Sequence, residues 1–189
     1  MELRALDKLG IQTSLLGFGC MRFPTTAEGK IDEVRAHRRL DEAYAAGINY
    51  YDTAWPDHNG DSTPFVGKAM KKYPRESFYF ATKLPCWSVK EREDATRIFH
   101  QQLEHLQSDY VDFYLLHALN RGSFNQMKDL GVIDDLAELK NQGKIRYLGF
   151  SFHDGYEAFE EILTYRDWDF CQIQYNYMDT NEQAGDKGY

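Results

Sequence analysis

Five polar side chains stand at or near the ends of short apolar runs: Asp52, Lys83, His117, Ser151 and Gln172. The first three can do chemistry together. A carboxylate beside a lysine holds the ammonium in place. That ammonium then stabilises developing negative charge, or depresses the pKa of a neighbouring acid. A histidine at the same place can donate to a carbonyl oxygen. Such an assembly polarises a C=O bond so that a hydride can attack its carbon. Each residue alone has an ordinary structural reading: a structural aspartate, a solvated lysine, a satisfied core histidine. Three of them on successive strand ends are much harder to explain that way.

The elements that must position them alternate. Apolar runs rich in Val, Ile, Phe and Tyr predict strands at Leu15–Gly19, Ile48–Asp52, Phe78–Lys83, Val111–His117, Ile145–Ser151 and Phe170–Tyr175. Their starts lie roughly 25 to 35 residues apart, the length of a βα unit. Between them, helical periodicity predicts helices at Ile31–Ala46, Ser62–Lys72, Glu93–Leu106, Ile133–Asn141 and Tyr156–Thr164. In the first, Val34, His37, Leu40, Ala43 and Tyr44 share a face, and Gly47 stops it. Ser62 is the expected N-cap of the second, with Pro64 in its first turn. Residues 1–14 are expected to form a hairpin turning near Gly10. Strands alternating with helices predict a parallel sheet. If that sheet curls, all five polar residues meet at one mouth, where barrel active sites are built. An open, doubly wound sheet is the alternative from composition alone, and it would not gather them so closely.

Composition bounds the rest. The chain has 189 residues, 42% of them hydrophobic, enough for one packed domain. Its net charge of -8 and its lack of a Lys/Arg stripe argue against a nucleic-acid partner. No apolar run approaches the roughly 20 residues of a membrane span, and with no apolar stretch behind Met1-Glu2-Leu3-Arg4 a secretory signal is not expected. Cys20, Cys86 and Cys171 are scattered, which disfavours a disulfide framework or a zinc site. A cytoplasmic protein with free thiols is expected.

The motifs carry a family resemblance. Leu16-Gly17-Phe18-Gly19-Cys20-Met21-Arg22, Tyr51-Asp52-Thr53-Ala54, Ala81-Thr82-Lys83, Asp112-Phe113-Tyr114-Leu115-Leu116-His117 and Gly143-Lys144-Ile145-Arg146-Tyr147-Leu148-Gly149-Phe150-Ser151 resemble successive aldo-keto reductase motifs, in family order. Cys171-Gln172-Ile173-Gln174-Tyr175-Asn176 is similar to the sixth strand. The resemblance implies a TIM-type (β/α)8 barrel, here incomplete. About six of eight βα units are visible, and the chain is expected to lack the C-terminal strands. It implies hydride transfer between NADPH and an aldehyde or ketone. Of the family's Asp, Tyr, Lys and His, three match Asp52, Lys83 and His117. Ser151 and Gln172 match the residues that hold the nicotinamide carboxamide. The loop Gly19-Cys20-Met21, with Asp52, is implied to run along the cofactor near the nicotinamide ribose.

Two positions depart from the pattern. The family's acidic tyrosine lies five residues after the aspartate, and Asp57 stands there. An ionised carboxylate cannot deliver a proton unless its pKa is raised by burial or by Asp52. His58 next to it is a poorer substitute. Phe152 replaces the asparagine that usually follows the strand-five serine. Met21-Arg22-Phe23-Pro24 and Ser151-Phe152-His153-Asp154 resemble a bacterial branch that often carries a C-terminal iron–sulfur segment. No cysteine cluster is present, and none is expected to form. Cys86 and Trp87 follow strand three and either line a substrate pocket or simply pack.

The leading reading is therefore an NADP-linked enzyme acting on a small carbonyl compound. The alternative is a catalytically impaired nicotinamide-binding or regulatory protein on the same fold. A metal-dependent barrel hydrolase is disfavoured, because His58, His117 and His153 form no ligand pattern at strand ends. Unpaired edges of an incomplete barrel make self-association an expectation.

Overall fold

The expected alternation of strand and helix is present in the computed structural model, which describes residues 1–175 and 178. Strands β1 (Leu3–Leu6) and β2 (Ile11–Ser14) form the antiparallel hairpin. Gly10 turns it at φ 66°, a left-handed conformation that side chains disfavour. Six strands follow: β3 (Phe18–Gly19), β4 (Tyr50–Asp52), β5 (Tyr79–Leu84), β6 (Val111–Leu119), β7 (Ile145–Phe152) and β8 (Phe170–Gln172). They pair in chain order, all parallel. A doubly wound sheet reverses its strand order at a switch point. This sheet does not reverse, so the alternative topology is excluded. The architecture is a (β/α)8 barrel wall with six of its strands.

The helices are α1 (Glu33–Ala45), α2 (Ser62–Met70), α3 (Arg92–Leu106), α4 (Arg121–Asp129), α5 (Val132–Asn141) and α6 (Tyr156–Tyr165). Several local expectations change. Asp32 caps α1 by accepting from the Arg35 amide at 3.1 Å. The buried face of α1 is Ala36, Leu40 and Ala43, while Val34 is 82% exposed. Ser62 is not the N-cap of α2. Asp61 precedes the helix, and the buried Ser62 hydroxyl donates instead to the Cys20 carbonyl at 3.0 Å. The run at Leu15 and Leu16 is exposed rather than stranded. The Ser14 hydroxyl donates to the Leu16 carbonyl and turns the chain before β3 begins. Helix α4 was not anticipated. Asn120 and Ser123 form its capping box, and only Phe124 and Met127 are buried, so its apolar periodicity is thin.

Strand alternation divides the core in two. Tyr51, Phe80, Tyr114, Leu116, Leu148 and Phe150 face the helices and belong to the large cluster. Ala81, Phe113 and Leu115 face the barrel interior, joined by Tyr50, Tyr79, Tyr147 and Phe170. The Phe113 ring lies 5.0 Å from those of Tyr50, Tyr147 and Phe170, and 5.8 Å from that of Tyr79. Leu9 and Ile11 of the hairpin pack on this inner cluster. One or two periods further along the inward rows come Asp52, Lys83, His117, Ser151 and Gln172.

Candidate active site

Those five side chains line one cleft of 310 Å³, together with Met21, Ala54, Asp57, Phe152, His153, Ile173 and Gln174. The register explains the convergence. Asp52 pairs with Ala81, two residues before Lys83, and Ser151 pairs with Gln172. Each inward row therefore delivers its last polar residue to the same rim.

The Lys83 ammonium is ion-paired with Asp52 Oδ1 and also donates to the Thr53 carbonyl at 3.2 Å. Both side chains are largely buried, which makes the pair stronger than a surface bridge and costly to split. One of the three N–H donors of Lys83 remains for a ligand. Asp52 Oδ2 and His117 Nδ1 are buried with no hydrogen-bond partner among the described residues. Buried polar atoms without partners are uncommon in finished cores and frequent in sites that take a ligand.

Burial, and then the neighbouring Lys83 charge and His153, push the His117 pKa down to about 4. The imidazole is neutral at pH 7. It donates one N–H without being an acid. A bulge follows it: register shifts between Leu116 and Leu119, and Ala118 takes φ 53°. The bulge aims the Ala118 amide at Ser151, whose Oγ accepts it at 2.7 Å. That fixes the Ser151 rotamer and leaves its hydroxyl hydrogen available to the cleft.

Asp57 also lines the cleft and is only 9% exposed. Burial raises its pKa, opposed by Lys83 and reinforced by Asp52. No ion pair joins it to Lys83. Its loop is tightly built. His58 and Asn59 hold left-handed φ values of 52° and 56°, which are strained for residues with a side chain. His58 Nε2 accepts from the Phe23 amide at 2.9 Å. This ring is a structural acceptor and does not line the cleft, so it is no substitute acid.

Not every anticipated residue presents its side chain. Met21 reaches the cleft, but Cys20 is fully buried behind it, with burial and Asp52 pushing its thiol pKa up. Gly19 pairs with Asp52 at the same rim. Phe152 is buried against Phe159, with ring centroids 5.3 Å apart, because the residue after Ser151 faces the helices. Cys86 is buried packing, whereas Trp87 is 54% exposed with its ring 5.0 Å from that of His117. Sequence reasoning had not assigned His153, Ile173 and Gln174 to the site. They lie beyond strand ends, where periodicity carries no signal. Asn176, which closes the sixth-strand motif, lies outside the described residues.

The profile of the Aldo/keto reductase family matches residues 15–185. The chain belongs to this family. This aldo/keto reductase chain is 36% identical over 159 residues to the L-galactose dehydrogenase of Arabidopsis thaliana, covering 80% of itself and 48% of that protein. It is 30% identical over 195 residues to the NADH-specific methylglyoxal reductase of Escherichia coli, covering 92% of itself and 56% of the relative. It thus spans about half the length of these curated relatives. A holo-form aldo-keto reductase of Bacillus halodurans superposes with a TM-score of 0.77 at 32% identity, over 93% of this chain and 58% of that one. The family uses a nicotinamide cofactor. Among the described residues, no helix is long and apolar enough to cross a membrane.

Proposed function

We propose that this chain serves hydride transfer between a nicotinamide cofactor, NADPH, and a small carbonyl compound. One observation carries the reading. The Asp52–Lys83 pair and the neutral His117 converge on a cleft that also contains Ser151 and Gln172. The residues fit the cofactor. The Ser151 hydroxyl hydrogen and the exposed Gln172 amide stand on adjacent strands, a donor and acceptor set suited to a carboxamide. The backbone at Gly19 and Cys20 and the side chain of Met21 border the same rim. When bound, the reduced nicotinamide supplies the hydride.

The chain's own residues do the rest. His117 donates an N–H to the carbonyl oxygen and orients it. The remaining Lys83 donor, held by Asp52, stabilises negative charge as it develops. Proton delivery is the weak step, because Asp57 holds the position where the family has a phenol. L-galactose dehydrogenase and methylglyoxal reductase among the relatives fit a small polar substrate. The scattered thiols, two of them buried, fit a cytoplasmic protein.

Trp87 reports on the cleft through its contact with His117. Quenching of tryptophan fluorescence by NADPH, stronger than by NADH, is expected. Absence of binding by either would remove the cofactor assignment. Asp57→Tyr restores a phenol, and a gain in ketone reduction of roughly 100-fold is expected from a positioned acid. Retained cofactor binding without any gain would favour the second reading, a nicotinamide-binding regulatory protein.

A further inference from the structure

The cleft carries a carboxyl group, Asp57, at the position where carbonyl reduction calls for a phenol. Asp52 and Asp57 line it with Lys83, His153 and the neutral His117. The ammonium pairs with Asp52 and donates to the Thr53 carbonyl, which leaves it one further donor. Asp57 makes no ion pair with Lys83, and its side chain is only 9% exposed and held by a loop with two left-handed residues. Reducing a carbonyl builds negative charge on oxygen next to that carboxylate, and an ionised carboxylate has no proton to give.

We propose that the cleft takes a cationic C=N substrate, an iminium ion, whose N–H donates to the Asp57 carboxylate. The proposal rests on the hydride-transfer reading above. Its chemistry balances without an acid. The reduced nicotinamide gives a hydride to the iminium carbon and is oxidised. The C=N π pair becomes the nitrogen lone pair, and a neutral amine results. The amine then takes a proton from water and leaves as an ammonium ion. Asp57 favours the protonated imine over the neutral one, and the protonated form is the one that accepts hydride. An imine nitrogen is basic enough to be protonated before hydride arrives, whereas a carbonyl oxygen is not. A carboxylate in the phenol's place therefore suits nitrogen and handicaps oxygen. Burial raises the Asp57 pKa, and a cationic ligand offsets that penalty.

Two measurements on the whole chain test this. In the first, with no cofactor present, methylpyrrolidinium and neutral cyclopentanol are titrated against tryptophan fluorescence and ligand-observed NMR. The cation should bind better, and Asp57→Asn should weaken it roughly tenfold. Asp57→Glu, which keeps the charge, should retain binding. Cation binding indifferent to Asp57→Asn would overturn the proposal. In the second, NADPH oxidation is followed with a methylpyrroline and with methylcyclopentanone. The cyclic imine should be reduced faster by the unaltered chain, and Asp57→Tyr should reverse the preference. Ketone reduction by Asp57→Tyr without imine preference in the parent leaves hydride transfer standing and sinks the iminium substrate. Failure of the nicotinamide to bind at all sinks both.

Discussion

Burial and the Lys83 ammonium hold the His117 imidazole at a pKa of about 4, against an ordinary value of 6.5. The folded state therefore favours the neutral ring. Its contribution to stability is complete above pH 6.5 and is lost as pH falls towards 4. With partial solvent access the loss is about 2 kcal/mol. Urea unfolding at both ends of that window should show it, and His117→Phe should lack that share of the pH dependence. Lys83→Met leaves the largely buried Asp52 carboxylate with its ion partner gone. A loss of about 3 kcal/mol is expected from the shift in the urea midpoint, with hydride transfer abolished. At this scale much was legible in the sequence. Asp52, Lys83, His117, Ser151 and Gln172 end inward rows, and a period of two fixes where such residues point. Asp57 was visible by counting from Asp52. The structural role of His58 was not, because it depends on the Phe23 amide 35 residues away in the chain.

Among the elements, the β7–β8 pair leaves no room for a side chain at Gly149. A Cβ at Gly149 would lie 2.4 Å from the Phe170 carbonyl and 2.7 Å from its ring. Backbone cannot yield that much. Gly149→Ala should cost roughly 2–4 kcal/mol by overpacking and push β8 outward. Because β8 carries Gln172, cofactor affinity should fall along with the thermal midpoint, and calorimetry with a binding titration checks both. Elements were less legible than site residues. Strand and helix types followed from periodicity, but α4 rests on a capping box and little apolar patterning. The exposure of Leu15, Leu16 and Val34 reflects where the hairpin and the sheet happen to cover the chain. Sequence hydropathy cannot see that.

Across the whole molecule, the end of the barrel opposite the cleft is tied by charge. Asp112 is fully buried, accepting from Arg75 at 2.6 Å, Arg146 at 2.8 Å and the Phe80 amide at 2.9 Å. Both guanidinium groups lie 4.1 Å from the Tyr110 ring centroid. This cluster joins β5, β6 and β7. Asp112→Asn keeps the shape and removes the charge, leaving two arginines without their shared counterion. A loss of about 2–3 kcal/mol in chemical denaturation is expected, with nicotinamide binding unchanged in the folded fraction.

At the centre of the bore sits the ring of Phe113, against which Tyr50, Tyr79, Tyr147 and Phe170 lean from four other strands. It works as a gauge block. Its edges limit how closely the flanking staves can draw together across the bore, while the β4–β5 ladder itself sets the lysine beside the carboxylate. The curvature that gathers the rim residues is thus held from a layer beneath them.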